Sequence, residues 1–145
     1  MADIDVRAIR DEWVGKVFQR FDFFADPERM LNWAIACGET DARFIDVDHP
    51  DFQASTSFPT HVSSSRVFPD DFPNLGSGRS IDGGKAVEWH RPMRAGETLR
   101  VEVQIGDIYD KTGRSGTMMF VVNRMTFVGA DGDPVATVDW RMIRS

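Results

Sequence analysis

The chain has 145 residues, 41% of them hydrophobic and 28% charged, which allows one globular core and not two. Its net charge of −6 leaves no basic stripe to neutralise phosphates, which excludes a nucleic-acid-binding protein. A single cysteine excludes an intrachain disulfide and suits a reducing compartment, and no apolar run reaches membrane length.

The first residues, Met1-Ala-Asp-Ile-Asp-Val-Arg7, have neither the apolar stretch of a signal peptide nor the Arg/Ser bias of a transit peptide, so a cytoplasmic protein is expected. Residues 4–13 predict a short amphipathic helix with Ile9 and Trp13 on one side, ended by Gly15. Residues 17–24 alternate as a strand. Asp26-Pro27-Glu28 then starts a second helix: a capping carboxylate, proline at the first helical position, and acid in the first turn. Its apolar stripe is Met30, Trp33 or Ala34, and Cys37, read as a small buried hydrophobe, with Gly38 as terminator.

Residues 39–57 show no period and are rich in Asp, the mark of a long functional loop. Phe58-Pro59-Thr60 predicts another helix running to about Phe68, Ser-rich and able to lie close against a sheet. Residues 69–84 read as a Pro- and Gly-rich connector. From Lys85 to Ile143 four strands are expected in a row. Leu99, Val101, Val103 and Ile105 alternate with polar residues, as do Ala136, Val138, Trp140 and Met142. Turns are expected at residues 91–96, 111–116 and 129–134. Nothing after Ser145 covers the apolar face of these strands, so the cover must come from the first eighty residues. One domain over residues 1–145 results, an α+β hot-dog fold with an antiparallel sheet of about five strands wrapped around a central helix.

Three stretches resemble the MaoC-type dehydratases, specifically the N-terminal-like half-domain of (R)-specific enoyl-thioester hydratases. They are Trp33-Ala-Ile-Ala-Cys-Gly-Glu-Thr-Asp-Ala-Arg-Phe-Ile-Asp46, Phe58-Pro-Thr60, and Gly83-Gly84 through Glu88-Trp-His-Arg-Pro-Met-Arg-Ala-Gly-Glu-Thr98. The resemblance implies addition of water to a trans-2-enoyl thioester. An Asp and a His in a Gly-Asp-x-Asn-Pro-x-His signature move the protons, and N–H groups polarise the carbonyl. Laid on this chain, Gly38 matches the glycine, Glu39 the Asp, Asp41 the Asn, Ala42 the Pro and Phe44 the His. Phe44 cannot move a proton, and Glu39 carries its carboxylate on a longer arm. The dyad is broken, and no catalytic residue is intact at either position.

In the resembling enzymes one half often lacks the dyad and shapes the acyl tunnel while its partner catalyses. The resemblance therefore implies a non-catalytic, acyl-binding subunit paired with a catalytic MaoC-like chain, inactive alone and dimeric or a dimer of dimers. No cofactor and no metal are expected. Its substrate-binding positions would be Asp41, Phe44, Phe52, Phe58, Pro59, Thr60, His61, Arg91 and Arg94, with Phe44 beside Phe52 and Phe58 as a channel wall. Arg91, Arg94, Lys111 and Arg114 at turns would meet coenzyme A phosphates or an acidic carrier protein, against the plainer reading of solvated turn charges.

Two histidines offer a fallback base. His49 follows Phe44 by five residues, although a solvated loop histidine is the plainer reading, and Asp46-Val-Asp-His49 lacks zinc or calcium ligand spacing. His61 sits where it would face the thioester carbonyl, or is satisfied locally. His90 reads as structural. Gly76-Ser-Gly78 is too short for a dinucleotide loop, and Asp131-Gly132 reads as a hairpin turn. A self-sufficient homodimeric hydratase, an acyl-thioester binding module without turnover, and a thioesterase are the competing functions. Thioesterase chemistry wants a carboxylate on the central helix, and residues 59–67 hold none.

Overall fold

The computed structural model describes residues 4–76 and 78–145, so Ser77 of the Gly76-Ser-Gly78 stretch and the first three residues fall outside it. Helix α1, Val6–Trp13, begins where the Asp5 side chain accepts from Ala8 N–H at 3.0 Å. Gly15 follows at φ +90°, and its N–H donates to the Ile105 carbonyl, which ties the helix end to the sheet. Strand β1 is Val17–Phe24 and helix α2 is Pro27–Ala36, capped by Asp26 through Arg29 N–H. Met30 and Ala34 form the buried stripe of α2. Cys37, expected inside, is exposed, because the helix stops at Ala36 and Cys37 is its cap rather than part of the stripe.

Two local expectations change in the middle of the chain. The loop 39–57 contains one helical turn, α3, Ala42–Ile45, capped by Asp41. The helix expected over residues 58–68 is a single 3-10 turn, Phe58–His61. Proline starts either kind of turn equally well, and the residues after His61 cannot continue a helix. Val62 is extended (φ −72°, ψ 127°), and Ser64 Oγ donates to the Arg66 carbonyl at 2.5 Å, the side-chain competition that disfavours serine in helices. Residues 62–67 therefore cross the sheet as an irregular strap. Asn123 Nδ2 donates to the Val67 carbonyl at 2.8 Å and Gln19 Nε2 to Ser65 Oγ at 2.6 Å.

The remaining strands are β2 Ser80–Trp89, β3 Thr98–Gly113, β4 Gly116–Val128 and β5 Pro134–Arg144. The five strands pair antiparallel, in the order β1-β3-β4-β5-β2, so the five-stranded sheet of the expected hot-dog fold is present. The four later strands are not a plain meander. Only β3–β4–β5 is one, and β2 lies at the far edge against β5. It also starts at Ser80, five residues before Lys85. A bulge at Gly83-Gly84, with Gly84 at φ +86°, breaks the alternation there and makes the strand look like a connector. The β3–β4 turn is only Arg114-Ser115, because residues 111–113 and 116–117 pair beyond the core, where exposed side chains need not alternate.

One register row, Phe21–Val101–Phe127–Ala136–Trp89, crosses all five strands. Its end of the sheet is covered by Met30, Phe52, Ala54, Phe58 and Val62, all from the first eighty residues as expected. The core continues to the other end of the same sheet as a second buried cluster, Ile105, Ile108, Met119 and Val121 under Ile9 and Trp13 of α1 and under Phe68, Phe72 and Leu75.

Candidate functional site

Helix α2 ends in a way that aims the signature loop. Gly38 takes φ +77°, its N–H donates to the Ile35 carbonyl and Glu39 N–H to the Ala34 carbonyl, each at 3.0 Å. This closure needs glycine at that one position. It leaves the Glu39 side chain half-buried, with no hydrogen bond or ion pair among the described residues. Asp41 is committed elsewhere. It caps α3 and holds the Arg43 guanidinium at 2.7 Å. The hydrogen bond from the Arg43 side chain, more than any other contact, draws its carboxyl down to about 2. An acceptor so paired takes no proton near neutrality.

Phe44 is half-buried, with the Arg43 guanidinium 5.4 Å from its ring centroid. It lines a cleft of about 370 Å³ with Ala54, Thr56, Trp89 and Pro92. Trp89 Nε1 donates to the Thr56 carbonyl at 2.9 Å, so the indole fixes one wall. Phe52 and Phe58 do not join this wall. Both are buried in the core, Phe58 completely, and Pro59 is buried with them.

The histidines divide. His49 Nδ1 accepts from Asp51 N–H at 3.0 Å, a closed local turn. His90 Nε2 is 3.3 Å from Thr137 Oγ1 on β5. His61 lies among Phe23, Trp33 and Phe58, with ring centroids 6.2, 5.0 and 4.5 Å away. Its Nδ1 contacts the Phe58 carbonyl and its Nε2 is 3.0 Å from Arg29 Nη2. A carbonyl only accepts and a guanidinium only donates, which assigns the proton to Nδ1 and leaves Nε2 as acceptor. Burial lowers the pKa of His61, and the Arg29 and Lys85 charges add to this against the Phe58 hydrogen bond. The ring is neutral and its lone pair is occupied. Thr60 beside it donates its hydroxyl to the Ser57 carbonyl, and its own carbonyl accepts from Lys85 Nζ, both at 2.7 Å.

Arg91 and Arg94, expected to meet phosphates, are occupied by carboxylates. Four N–H donors of Arg91 go to Asp133, the Pro92 carbonyl and both oxygens of Glu97. Hydrogen bonds donated to Glu97 raise the pKa of Arg91 above its ordinary value. Burial pushes Glu97 up, but Arg91 and the Arg94 N–H outweigh it and its pKa falls. Arg94 reaches the Phe52 carbonyl at 3.4 Å and Asp51 at 3.8 Å. With Arg43 on Asp41 and Arg91 on two acids, the Phe44 cleft carries no excess positive charge.

Three participants escape a reading of the sequence alone. Trp89 and Lys85 alternate on the core-facing side of β2, a signal available from Lys85, Val87 and Trp89. Arg29 lies four residues before Trp33 on the same helix face. Among the described residues, no three His, Cys, Asp or Glu side chains are placed to hold a metal ion.

The family model for the FAS1-like, dehydratase domain region matches residues 12–138. Among solved structures, the chain is similar to the ChsH1-ChsH2 complex from Mycobacterium tuberculosis, with 18% identity, TM-score 0.69, and 96% of this chain and 88% of that one covered. It is similar to the HadBC (3R-hydroxyacyl-ACP dehydratase) complex of the same organism at 17% identity and TM-score 0.64, covering 90% and 96%. A MaoC-like dehydratase from Phytophthora capsici is 24% identical at TM-score 0.67, and 92% of this chain covers 48% of that one. At these identities the likeness is one of fold, and no curated protein matches the sequence. A match over residues 12–138 places the chain in the family of the FAS1-like dehydratase domain region, and its five-stranded sheet has the hot-dog fold of the similar structures.

Proposed function

We propose that this chain is the non-catalytic, acyl-binding subunit of a heteromeric (R)-specific enoyl-thioester hydratase or dehydratase. The observation that carries the reading is Phe44, an aromatic ring at the position of the family's catalytic His, lining a cleft with Trp89. The fallback bases do not replace it: Arg29 occupies the lone pair of His61, and His49 is closed on its own turn. In the proposed reaction the partner's Asp and His deprotonate water for attack at the β-carbon and return a proton to the α-carbon. This chain supplies an uncharged wall for the acyl group of a coenzyme A or carrier-protein thioester. Two of the similar structures are complexes named for two components, which supports a second hot-dog subunit as partner.

Edge strands β1 and β2 leave backbone donors and acceptors open, and a second hot-dog sheet would close one of them. No helix among the described residues is long and apolar enough to cross a membrane.

The test is co-expression with a hot-dog chain that carries the intact Gly-Asp-x-Asn-Pro-x-His signature, followed by crotonyl-CoA hydration by each chain and by the complex. Activity is expected in the complex and not in this chain alone. Robust turnover by this chain alone overturns the proposal, and its loss in His49→Ala would establish a self-sufficient homodimer instead. Saturable acyl-CoA binding with no turnover in any combination would make the chain a binding module.

A further inference from the structure

The 3-10 turn Phe58–His61 touches both α2 and β2, and each of these elements brings one cation to it. Arg29 of α2 places Nη2 3.0 Å from His61 Nε2, and Lys85 of β2 donates Nζ to the Thr60 carbonyl at 2.7 Å. Among the described residues no carboxylate is within ion-pair distance of either cation, whereas Arg43, Arg91, Arg94 and Arg124 each have one. The acids of the flanking elements are turned to other work. Asp26 caps α2 through Arg29 N–H, and Asp82 accepts from Gly84 N–H and Trp140 Nε1, each at 2.8 Å. Asp22 of β1, Glu28 of α2 and Glu88 of β2 are exposed. Arg29 and Lys85 are the charges that act on the His61 ring.

The Arg29–His61 contact holds only while the ring is neutral. Protonation turns Nε2 from acceptor to donor and sets two cations 3.0 Å apart beside Phe23, Trp33 and Phe58, apolar rings that screen charge poorly. An oxyanion set against both groups removes this conflict, because it accepts from Nε2–H and from the guanidinium fork at once. Arg29 is exposed and its guanidinium lies over the Phe23 face, 5.8 Å from the ring centroid, so it can pivot to share an anion.

We propose that Arg29 and His61 form a binding site for a dianionic oxyanion of the phosphate type, which enters together with one proton on His61. Two cations in contact with the anion and Lys85 close by match a double negative charge better than a single carboxylate. The anion tightens the hold of His61 on its proton by the same factor as the proton tightens the hold on the anion. The site is separate from the Phe44 cleft: Lys85 stands four residues from Trp89 along one face of β2, roughly 13 Å away. It does not rest on the subunit reading and stands whether or not the chain has a catalytic partner.

The test follows the three histidines of the full chain by NMR through a pH titration, in sodium chloride and in sodium sulfate at equal ionic strength. Sulfate should raise the pH at which His61 protonates, by an amount equivalent to at least tenfold tighter anion binding to the protonated ring, and leave His49 and His90 unmoved. In Arg29→Gln the sulfate effect on His61 should vanish, with the melting temperature followed as a control for folding. No sulfate effect on His61, an equal effect on all three histidines, or an effect that survives Arg29→Gln would each overturn the site. Inorganic phosphate and coenzyme A then compete with sulfate at pH 6. Tighter competition by coenzyme A makes the source a thioester carrier, tighter competition by inorganic phosphate makes it the free ion, and competition by neither overturns the phosphate class.

Discussion

Arg29 Nη2 stands 3.0 Å from Nε2 of His61, so the one lone pair the imidazole keeps is turned to a cation. The unfolded chain protonates its imidazole near pH 6.5, and the folded ring, desolvated and facing Arg29 and Lys85, does so at lower pH. Between those values protons favour the unfolded chain. Stability from this residue is therefore complete above pH 6.5 and is lost as pH falls through the folded value. Thermal melts of the wild type should fall between pH 7 and pH 5, and His61→Gln should flatten that slope. An unchanged slope would mean that the ring titrates freely.

Phe44 tests the acyl wall. Removing about 40 Å² of contact at 25 cal/mol per Å² costs about 1 kcal/mol, roughly fivefold in affinity. Phe44→Ala should weaken binding of long or bulky acyl thioesters by that factor and leave short ones nearly unchanged. A partner's turnover of crotonyl-CoA should survive. Equal loss at every chain length would show that Phe44 only holds its loop together.

The Arg91 network separates structure from recognition. Glu97→Ala leaves the Arg91 guanidinium with one acid instead of two and the Arg94 N–H without its acceptor, and should cost about 1–3 kcal/mol in denaturant melts. Arg91→Lys loses the forked geometry and should lower stability in the same direction. Gly129→Ala should do likewise, since a Cβ there would sit 2.6 Å from Arg91 Nη2. The salt dependence of coenzyme A binding should be the same in Arg91→Gln as in the wild type. A shallower slope would return Arg91 to the substrate.

Sheet edges make the fourth expectation. At micromolar concentration the isolated chain should sediment as a dimer, and with a catalytic partner as a heteromer. A monodisperse monomer would leave β1 and β2 unclosed and count against the pairing.

The legible part of the sequence is local. Asp26-Pro27 announces α2 because capping is decided within four residues, and Leu99 to Ile105 reads as a strand because one face is fully buried. Alternation says nothing about which strand lies next door, so chain order alone sets β2 beside β3 rather than at the far edge. The Phe58-Pro59 start is shared by 3-10 and α-helical turns, and only the serines after it decide between them. Phe44 stands out through its position in the motif. Arg29 on His61 does not, since it joins residues thirty-two apart through the packing of α2 on the 3-10 turn.

Strand order also governs when the protein can assemble as it is made. Among the described residues β1 pairs only with β3, and β2 only with β5. Each early strand finds its partner later in the chain. The first ninety-seven residues leave the ribosome holding half a sheet's worth of edges and nothing to lay them on. β1 docks once Thr98–Gly113 has emerged, and β2 waits for Pro134–Arg144. Until then Phe21, Phe23, Val87 and Trp89 stay uncovered, which makes this interval the one in which a nascent chain most needs a chaperone. Stalling translation before residue 134 should yield a protease-sensitive chain, and release after residue 144 a resistant one.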